Sequence, residues 1–469
     1  MDKTVSTRDT SQKALRINLD DKKYGTIVEI GAGQEVARHF FLVGAAAGTI
    51  AKTMSAYDMQ FSDAIYGVQE DNRYVCKARV KAMMHQEFGL VLDRVSDTRS
   101  KSSRYFTYAA TVAAKSYQGD NECHAWCGVR VQLYPGAEPS NITLHVRMRD
   151  ETAEEQQEAL GVLGVNLIYA AYYYYESPKK IIDSLTDNLK ANRIEIDTIE
   201  FEGPYFEEID NRAINLHLIR SWKTRAIMFT PDGNVAVPAE LLYKKNVITI
   251  RGSFKPVTNL NVDMIEQGKV AFYTQEDVHP DNTVAIAEIT LNDRTGHDAK
   301  VPEADIITRV QLLNSLGYNV MVSDYTRYFS LRAYFRQFTQ LQIGIVVGII
   351  NIKQIFNEDT YRGVEGGILE GFGKLFPDHT RMYVYPEMNE KGVEINYTDV
   401  TLPENLQHLY QHLVVNGFIT GIECSDKKLF KIFSREVLQQ IPEGRGEWEK
   451  LLPAGVAEAI IERRLFNFH

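Results

Sequence analysis

Asn319-Val-Met-Val-Ser-Asp-Tyr-Thr-Arg327 opens as a short β-branched run, breaks at polar residues and leads into Tyr328 to Phe338, whose apolar residues recur at helical spacing. Gln342 to Val347 is again a short apolar, β-branched run, and Ala304 to Leu316 upstream has helical periodicity. Strands separated by helices cannot pair as hairpins, so this alternation requires parallel strands joined by crossovers, with helices covering both faces of the sheet. The reading is a doubly wound, Rossmann-like α/β domain.

Outward from that segment the pattern continues. Toward the N-terminus, Pro178 opens a helix through Ile181 to Leu189, Arg193 to Phe201 alternates as a strand, Glu207 to Trp222 reads as a helix and Arg225 to Thr230 as a strand. Val247 to Ile250 and Lys269 to Thr274 read as further strands, and the tail carries helical patterns near Leu406 to Asn416, Lys427 to Gln440 and Val456 to Leu465. Residues 23–150 differ: a strand, turn and helix from Gly25 to Val43 precede strands at Tyr105 to Ala114, Ala125 to Leu133 and Asn141 to Met148, an α+β arrangement. The charged run Arg149 to Glu158 marks the boundary. The expected organisation is a flexible arm over 1–22, an N-terminal α+β domain over 23–150, the Rossmann-like domain over 151–400 and a helical extension over 401–469.

Composition excludes several classes. In a 469-residue chain, 44% hydrophobic and 24% charged residues are those of a globular protein with a large interior. A net charge of -10, with no long Lys/Arg run, disfavours nucleic acid as a partner. Four cysteines in so long a chain are too few for a disulfide framework, and Met1 to Asp21 has no apolar core of a signal peptide, so the expected compartment is the cytoplasm. Leu160 to Tyr175 is broken by Asn166, and Ile343 to Ile352 is about half the length a membrane helix needs, so no membrane association is expected.

Four stretches carry candidate chemistry. In Val28-Glu-Ile-Gly-Ala-Gly-Gln-Glu35, Gly31 and Gly33 follow a strand and open a helix, where backbone amides either hold a phosphate or simply make a tight turn. Ser323, Asp324 and Arg327 stand at the carboxyl end of a parallel strand, the usual ligand edge of open α/β sheets. There Asp324 is suited to a ribose hydroxyl or an amine and Arg327 to an anion, or Ser323 and Asp324 merely cap the next helix. If the topology holds, Asp232, Glu202 and Asn351 converge on the same edge. Cys123-His124-x-x-Cys127 offers soft ligands, with His145 able to approach across a hairpin, but on a strand the two thiols stand about 13 Å apart, which favours buried structural thiols and no metal.

Arg251-Gly-Ser-Phe-Lys-Pro-Val-Thr258 resembles the opening of nicotinate-nucleotide adenylyltransferases, whose pattern is Gly-x-Phe-x-Pro-x-His-x-x-His. Gly252, Phe254 and Pro256 match; Thr258 and Asn261 replace the two histidines that contact the triphosphate in that family. Tyr24 to Gly67 and Gly252 to Asp263 together are similar to an uncharacterised bacterial family sometimes given that adenylyltransferase label, a resemblance that implies a fold and brings no active site. The functional expectation is a nucleotide-like or other anionic small molecule bound at the carboxyl ends of parallel strands, with reaction and cofactor unspecified. The alternative is a non-catalytic, self-assembling protein, a homo-oligomer with Tyr172 to Tyr175 and the arm at its subunit interface.

Overall fold

Asp9 and Gln12 form a reciprocal capping box that starts α1 (Thr10–Asn18), inside the stretch that reads as a flexible arm. The computed structural model describes residues 8–468 apart from 70–72, 96, 100, 120, 292–300, 378 and 445. Residues 1–7 of the expected arm lie outside the described residues; from residue 8 the arm is corrected to an ordered, packed segment. Lys13 anchors it, donating to Asn166 Oδ1 and Asp187 Oδ2 at 2.7 Å each. An ammonium so deeply buried is tolerable only when paired, and its partners lie more than 150 residues away in sequence, which is why the arm reads as free.

The chain divides into two units, Met1–Thr224 and Arg225–His469. The first is built on a six-stranded sheet of β1 (Lys23–Gly31), β2 (Ile50–Ala56), β3 (Arg104–Ala113), β4 (His124–Val131), β5 (Ser140–Met148) and β6 (Ile194–Glu202), in the order β2-β1-β3-β4-β5-β6. β1 runs parallel to β2 and β3, and the remaining pairings are antiparallel. Its helices after α1 are α2 (Glu35–Leu42), α3 (Met59–Tyr66), α4 (Lys77–Val95), α5 (Ala153–Tyr173), α6 (Pro178–Ser184) and α7 (Asn211–Arg220). The side of the sheet bearing Ile27, Cys127, Leu144 and Ile199 packs into one apolar core with α5, and α4 packs on β3 and β4.

The expected boundary at 150/151 therefore moves to 224/225. β6 pairs with β5 from Asn141↔Glu202 to Met148↔Ile194, which ties residues 151–224 to the first sheet. The charged run that marks the expected boundary is the capped start of α5: Thr152 accepts from Glu155 N, and Arg193 pairs with Asp150 and Glu158. The tyrosines that close α5 are engaged inside the unit. Tyr172 donates to the Arg104 carbonyl, and Tyr173 accepts from Lys23 and stacks under Arg16 at 4.1 Å.

The second unit begins with β7 (Ala226–Phe229), β8 (Val235–Ala236) and α8 (Pro238–Leu242), then alternates β9 (Asn246–Arg251), α9 (Asn259–Phe272), β10 (Thr283–Thr290), α10 (Glu303–Ser315), β11 (Asn319–Ser323), α11 (Tyr328–Phe335), β12 (Ile343–Gly348), α12 (Ile349–Ile355), α13 (Gly367–Leu375) and β13 (Thr380–Tyr385). A two-residue ladder, β14 (Glu387–Met388) with β15 (Glu394–Ile395), precedes α14 (Glu404–Val415), β16 (Ile419–Gly421), α15 (Ser434–Glu443) and α16 (Val456–Arg463). The sheet order is β16-β13-β12-β9-β10-β11-β7-β8. Six strands from β16 to β11 are parallel; counted along the chain from β9 they lie 3-2-1-4-5-6, the doubly wound Rossmann arrangement. The tail thus adds a strand as well as helices.

Lys269 to Thr274, read as a strand, is instead the end of α9 and its C-cap. Gly268 brings that helix down onto the sheet, since a Cβ there would stand 2.5 Å from Val346. Among the described residues no helix is long and apolar enough to cross a membrane.

Gly31 ends β1 at φ +79°, where a Cβ would lie 2.3 Å from the Val112 carbonyl oxygen. Gly31→Ala is expected to lower the unfolding free energy of the first unit by about 2 kcal/mol or more, measured by urea denaturation. A change under about 0.5 kcal/mol, the range of an indifferent surface substitution, would contradict this close approach.

Candidate functional site

Three strand ends build the carboxyl edge of the second sheet. Arg251 is the last residue of β9, Glu288 lies in β10 and Ser323 closes β11. The Glu288 carboxylate is fully buried, which requires a cation and donors around it. Arg251 Nε donates to its Oε2 at 2.5 Å, while Ser323 and Thr290 hydroxyls donate to its Oε1 at 2.6 and 3.0 Å. The guanidinium also stands over the Tyr328 ring, 4.8 Å from its centroid, and its Nη1 donates to the Thr326 carbonyl at 3.3 Å. Its third nitrogen, Nη2, is buried and has no hydrogen-bond partner. The sequence reading missed Arg251 and Glu288; the available signal was a charged residue at the end of one β-branched run and inside another.

The structure gives the sequence-derived residues different roles. Ser323 is buried and committed to Glu288, and its oxygen also accepts from Tyr325 N. Asp324, 5% exposed, accepts from Arg225 Nε at 2.7 Å and donates its own N–H to the Arg225 carbonyl, fastening the end of β11 to the start of β7. Arg327 is half-buried, with Nη2 on the Arg362 carbonyl at 2.7 Å.

Asp232 does not converge with these residues. β7 runs antiparallel to β11, pairing Ala226 with Ser323 and Phe229 with Val320, so Asp232 sits in the β7–β8 hairpin at the opposite end of the strands. Glu202 belongs to the first sheet and pairs with Lys81. Asn351 stays on the carboxyl edge, where its side chain accepts from Gly348 N at the start of α12.

Strand order reverses between β9 and β12, the point where open α/β sheets bind ligands, and the Gly252 to Val257 loop follows β9 there. Arg309 holds that loop through the Ser253 carbonyl, and Lys255 pairs with Asp305 at 2.7 Å. Thr258 and Asn261, at the positions where the adenylyltransferase pattern has histidines, form the capping box of α9: Thr258 N donates to Asn261 Oδ1 at 3.0 Å and Asn261 N to Thr258 Oγ1 at 3.4 Å. These positions start a helix.

Gly31 and Gly33 lie in the first unit, where both permit close approach to β3; a Cβ on Gly33 would stand 2.8 Å from the Val112 side chain. The anion position at the start of α2 is filled from within, because Glu29 Oε1 accepts from Val36 N at 3.3 Å. Burial is the main cause that lifts the Glu29 carboxyl to about 7. A cavity of about 420 Å³ opens at the same sheet edge, lined by Gly31, Tyr57, Tyr74, Thr111, Ala113 and Lys115 among others.

His145 does reach His124 across the hairpin, Nε2 to Nδ1 at 2.9 Å. Cys127, by contrast, is fully buried in the apolar core, and burial pushes its thiol up to about 12. Among the described residues no group of three or more His, Cys, Asp or Glu is placed to hold a metal ion.

No protein-family model and no curated protein matches the chain. Among solved structures it is similar to the nicotinic acid mononucleotide adenylyltransferase of Plasmodium falciparum complexed with NaAD, at 14% identity over 48% of this chain and 98% of that one, TM-score 0.32. It is also similar to the competence/damage inducible protein CihA of Agrobacterium tumefaciens, at 16% identity over 35% and 96%, TM-score 0.26. A CinA superfamily protein of Enterobacter cloacae matches at 12% identity over 35% and 93%, TM-score 0.27. Matches at these scores assign neither a reaction nor a ligand.

Because the folded protein holds the Glu29 proton up to about pH 7, against an ordinary value of 4.5, it binds more protons than the unfolded chain between those values. Stability is therefore highest below about pH 4.5 with respect to this group and is lost as pH rises toward 7. Relative to wild type, Glu29→Gln should remove this fall, on the order of 3 kcal/mol. Parallel stability–pH curves for the two proteins would contradict it.

Proposed function

We propose that the protein binds a nucleotide-like, anionic small molecule at the carboxyl edge of the parallel strands in its second unit. The observation that carries this reading is the unpartnered Nη2 of Arg251, a buried cationic donor at the end of the first parallel strand. A buried donor without a partner costs about 1–3 kcal/mol, and an acceptor oxygen of a bound ligand removes that cost. The charge-assisted bond such a group makes with a phosphate or carboxylate is stronger than a neutral one. Arg327, half-buried after β11 on the same edge, supplies a second cation. The strand reversal between β9 and β12 supports the location, since open α/β sheets bind ligands outside their carboxyl ends at that point.

Asp324, first read as a ligand-orienting group, serves in this proposal to fix Arg225 and the strand end. The two arginines and the aspartate are therefore separable. In thermal-shift titrations with nucleoside triphosphates and dinucleotides, Arg327→Ala and Arg251→Lys should each weaken ligand stabilisation about tenfold or more in apparent Kd. Asp324→Ala should lower the melting temperature of the free protein while leaving the ligand-induced increment intact. Unchanged ligand response in both arginine variants, or its loss only in Asp324→Ala, would refute this assignment.

A further inference from the structure

One face of the first sheet carries polar chemistry that the second unit's proposed site does not use. His145, 1% exposed, places Nδ1 2.7 Å from Asp197 Oδ1 and Nε2 2.9 Å from His124 Nδ1. Asp197 reaches this position through a β-bulge: β5 and β6 pair His145 with Thr198 and Val146 with Ile196, leaving Asp197 between them without a partner residue. The Trp126 ring packs on His145 with centroids 5.2 Å apart.

Four buried polar atoms here have no hydrogen-bond partner: Asp197 Oδ2, Thr198 Oγ1, Trp126 Nε1 and Thr111 Oγ1. Buried polar groups are nearly always satisfied, so a row of orphans on neighbouring strands calls for bound water or a ligand. The row also leads somewhere. Thr111 and Ala113 stand directly opposite Trp126 and His124 across the β3–β4 ladder, and both line the 420 Å³ cavity beside Gly31.

Bond polarity fixes the direction of the chain. An ionised Asp197 only accepts, so His145 carries its proton on Nδ1 and, when neutral, presents a bare Nε2. His124 must then carry its proton on Nδ1, which leaves its own Nε2 as the terminal acceptor. We propose that Asp197, His145 and His124 form a proton relay, with half-buried His124, the ladder partner of cavity-lining Ala113, as the acid–base group for a hydroxyl-bearing small molecule or a water beside that cavity.

In the transfer, the O–H bond of the ligand breaks and an Nε2–H bond forms on His124. The proton on His124 Nδ1 passes to His145 Nε2, and the positive charge comes to rest on His145 beside the Asp197 carboxylate. Burial first, then His145, lowers the affinity of His124 itself to about 4; Arg147 and Arg73 oppose a charge on it while Asp197 favours one, and Lys77 of α4 stands over Trp126. His124 thus stays neutral and conducts, and His145 and Asp197 are positioning residues. The inference is independent of ligand binding in the second unit.

Diethyl pyrocarbonate, which acylates a bare imidazole nitrogen, is a suitable probe on the full-length protein. Mass spectrometry should show His124 acylated at a rate nearly flat from about pH 5 to 8, where ordinary histidines titrate. Asp197→Asn and His145→Gln should each slow that rate roughly tenfold, as for one unit of lost basicity. In wild-type imidazole 15N spectra both rings should be protonated on Nδ1 and bare on Nε2. A proton on His124 Nε2 in those spectra, or unchanged acylation in both variants, would overturn the relay; the wild-type spectrum decides the matter even if a variant fails to fold.

Discussion

The Glu288 carboxylate, buried between β9 and β11, is the charge around which the carboxyl edge of the second sheet is organised. A carboxylate without water must be neutralised and hydrogen-bonded, and Arg251, Ser323 and Thr290 do this from three adjacent strands. Meeting that requirement fixes the Arg251 guanidinium in a single orientation. Its Nη1 reaches the loop after β11, its plane lies over Tyr328, and its remaining nitrogen is left without a partner. The same ion pair that stabilises the edge therefore prepares a donor on it.

The two units treat strand-to-helix turns in opposite ways. After β1 the turn is closed from within: Gly31 and Gly33 let the chain press against β3, and Glu29 occupies the place at the start of α2 that a phosphate would take. After β9 the helix start is capped by Thr258 and Asn261, which are neutral, and a cation stands at the strand end. Similar local motifs thus differ in the charge they present. That contrast is why the proposed anion site lies in the second unit, while the first carries the cavity beside Gly31 and the histidine chain.

Elements whose signal is local were legible in the sequence. The alternation from Ala304 to Val347 gave α10, β11, α11 and β12 and with them the parallel sheet, because crossover connections impose that pairing. What escaped depends on partners distant in the chain. Lys13 orders the supposed arm only because Asp187 folds beside it, and β6 joins the first sheet through β5, which moves the boundary from 150 to 224. Strand direction is not written in residue type, so Asp232 was placed on the wrong edge. Ser323, Asp324 and Arg327 could be placed on the carboxyl edge from their position after a strand, whereas Arg251 became visible only once Glu288 lay beside it. Asp197 could not be foreseen at all, since a bulge in the pairing is what aims it at His145.

The most direct measurement is a crystal structure of the full-length protein with a nucleoside triphosphate bound. A phosphate oxygen about 3 Å from Arg251 Nη2, a normal hydrogen-bond distance, with the ligand lying along the carboxyl ends of β9 to β12, is the outcome this structure predicts. Ligand density elsewhere on the protein, with Arg251 Nη2 still unpartnered, would contradict it.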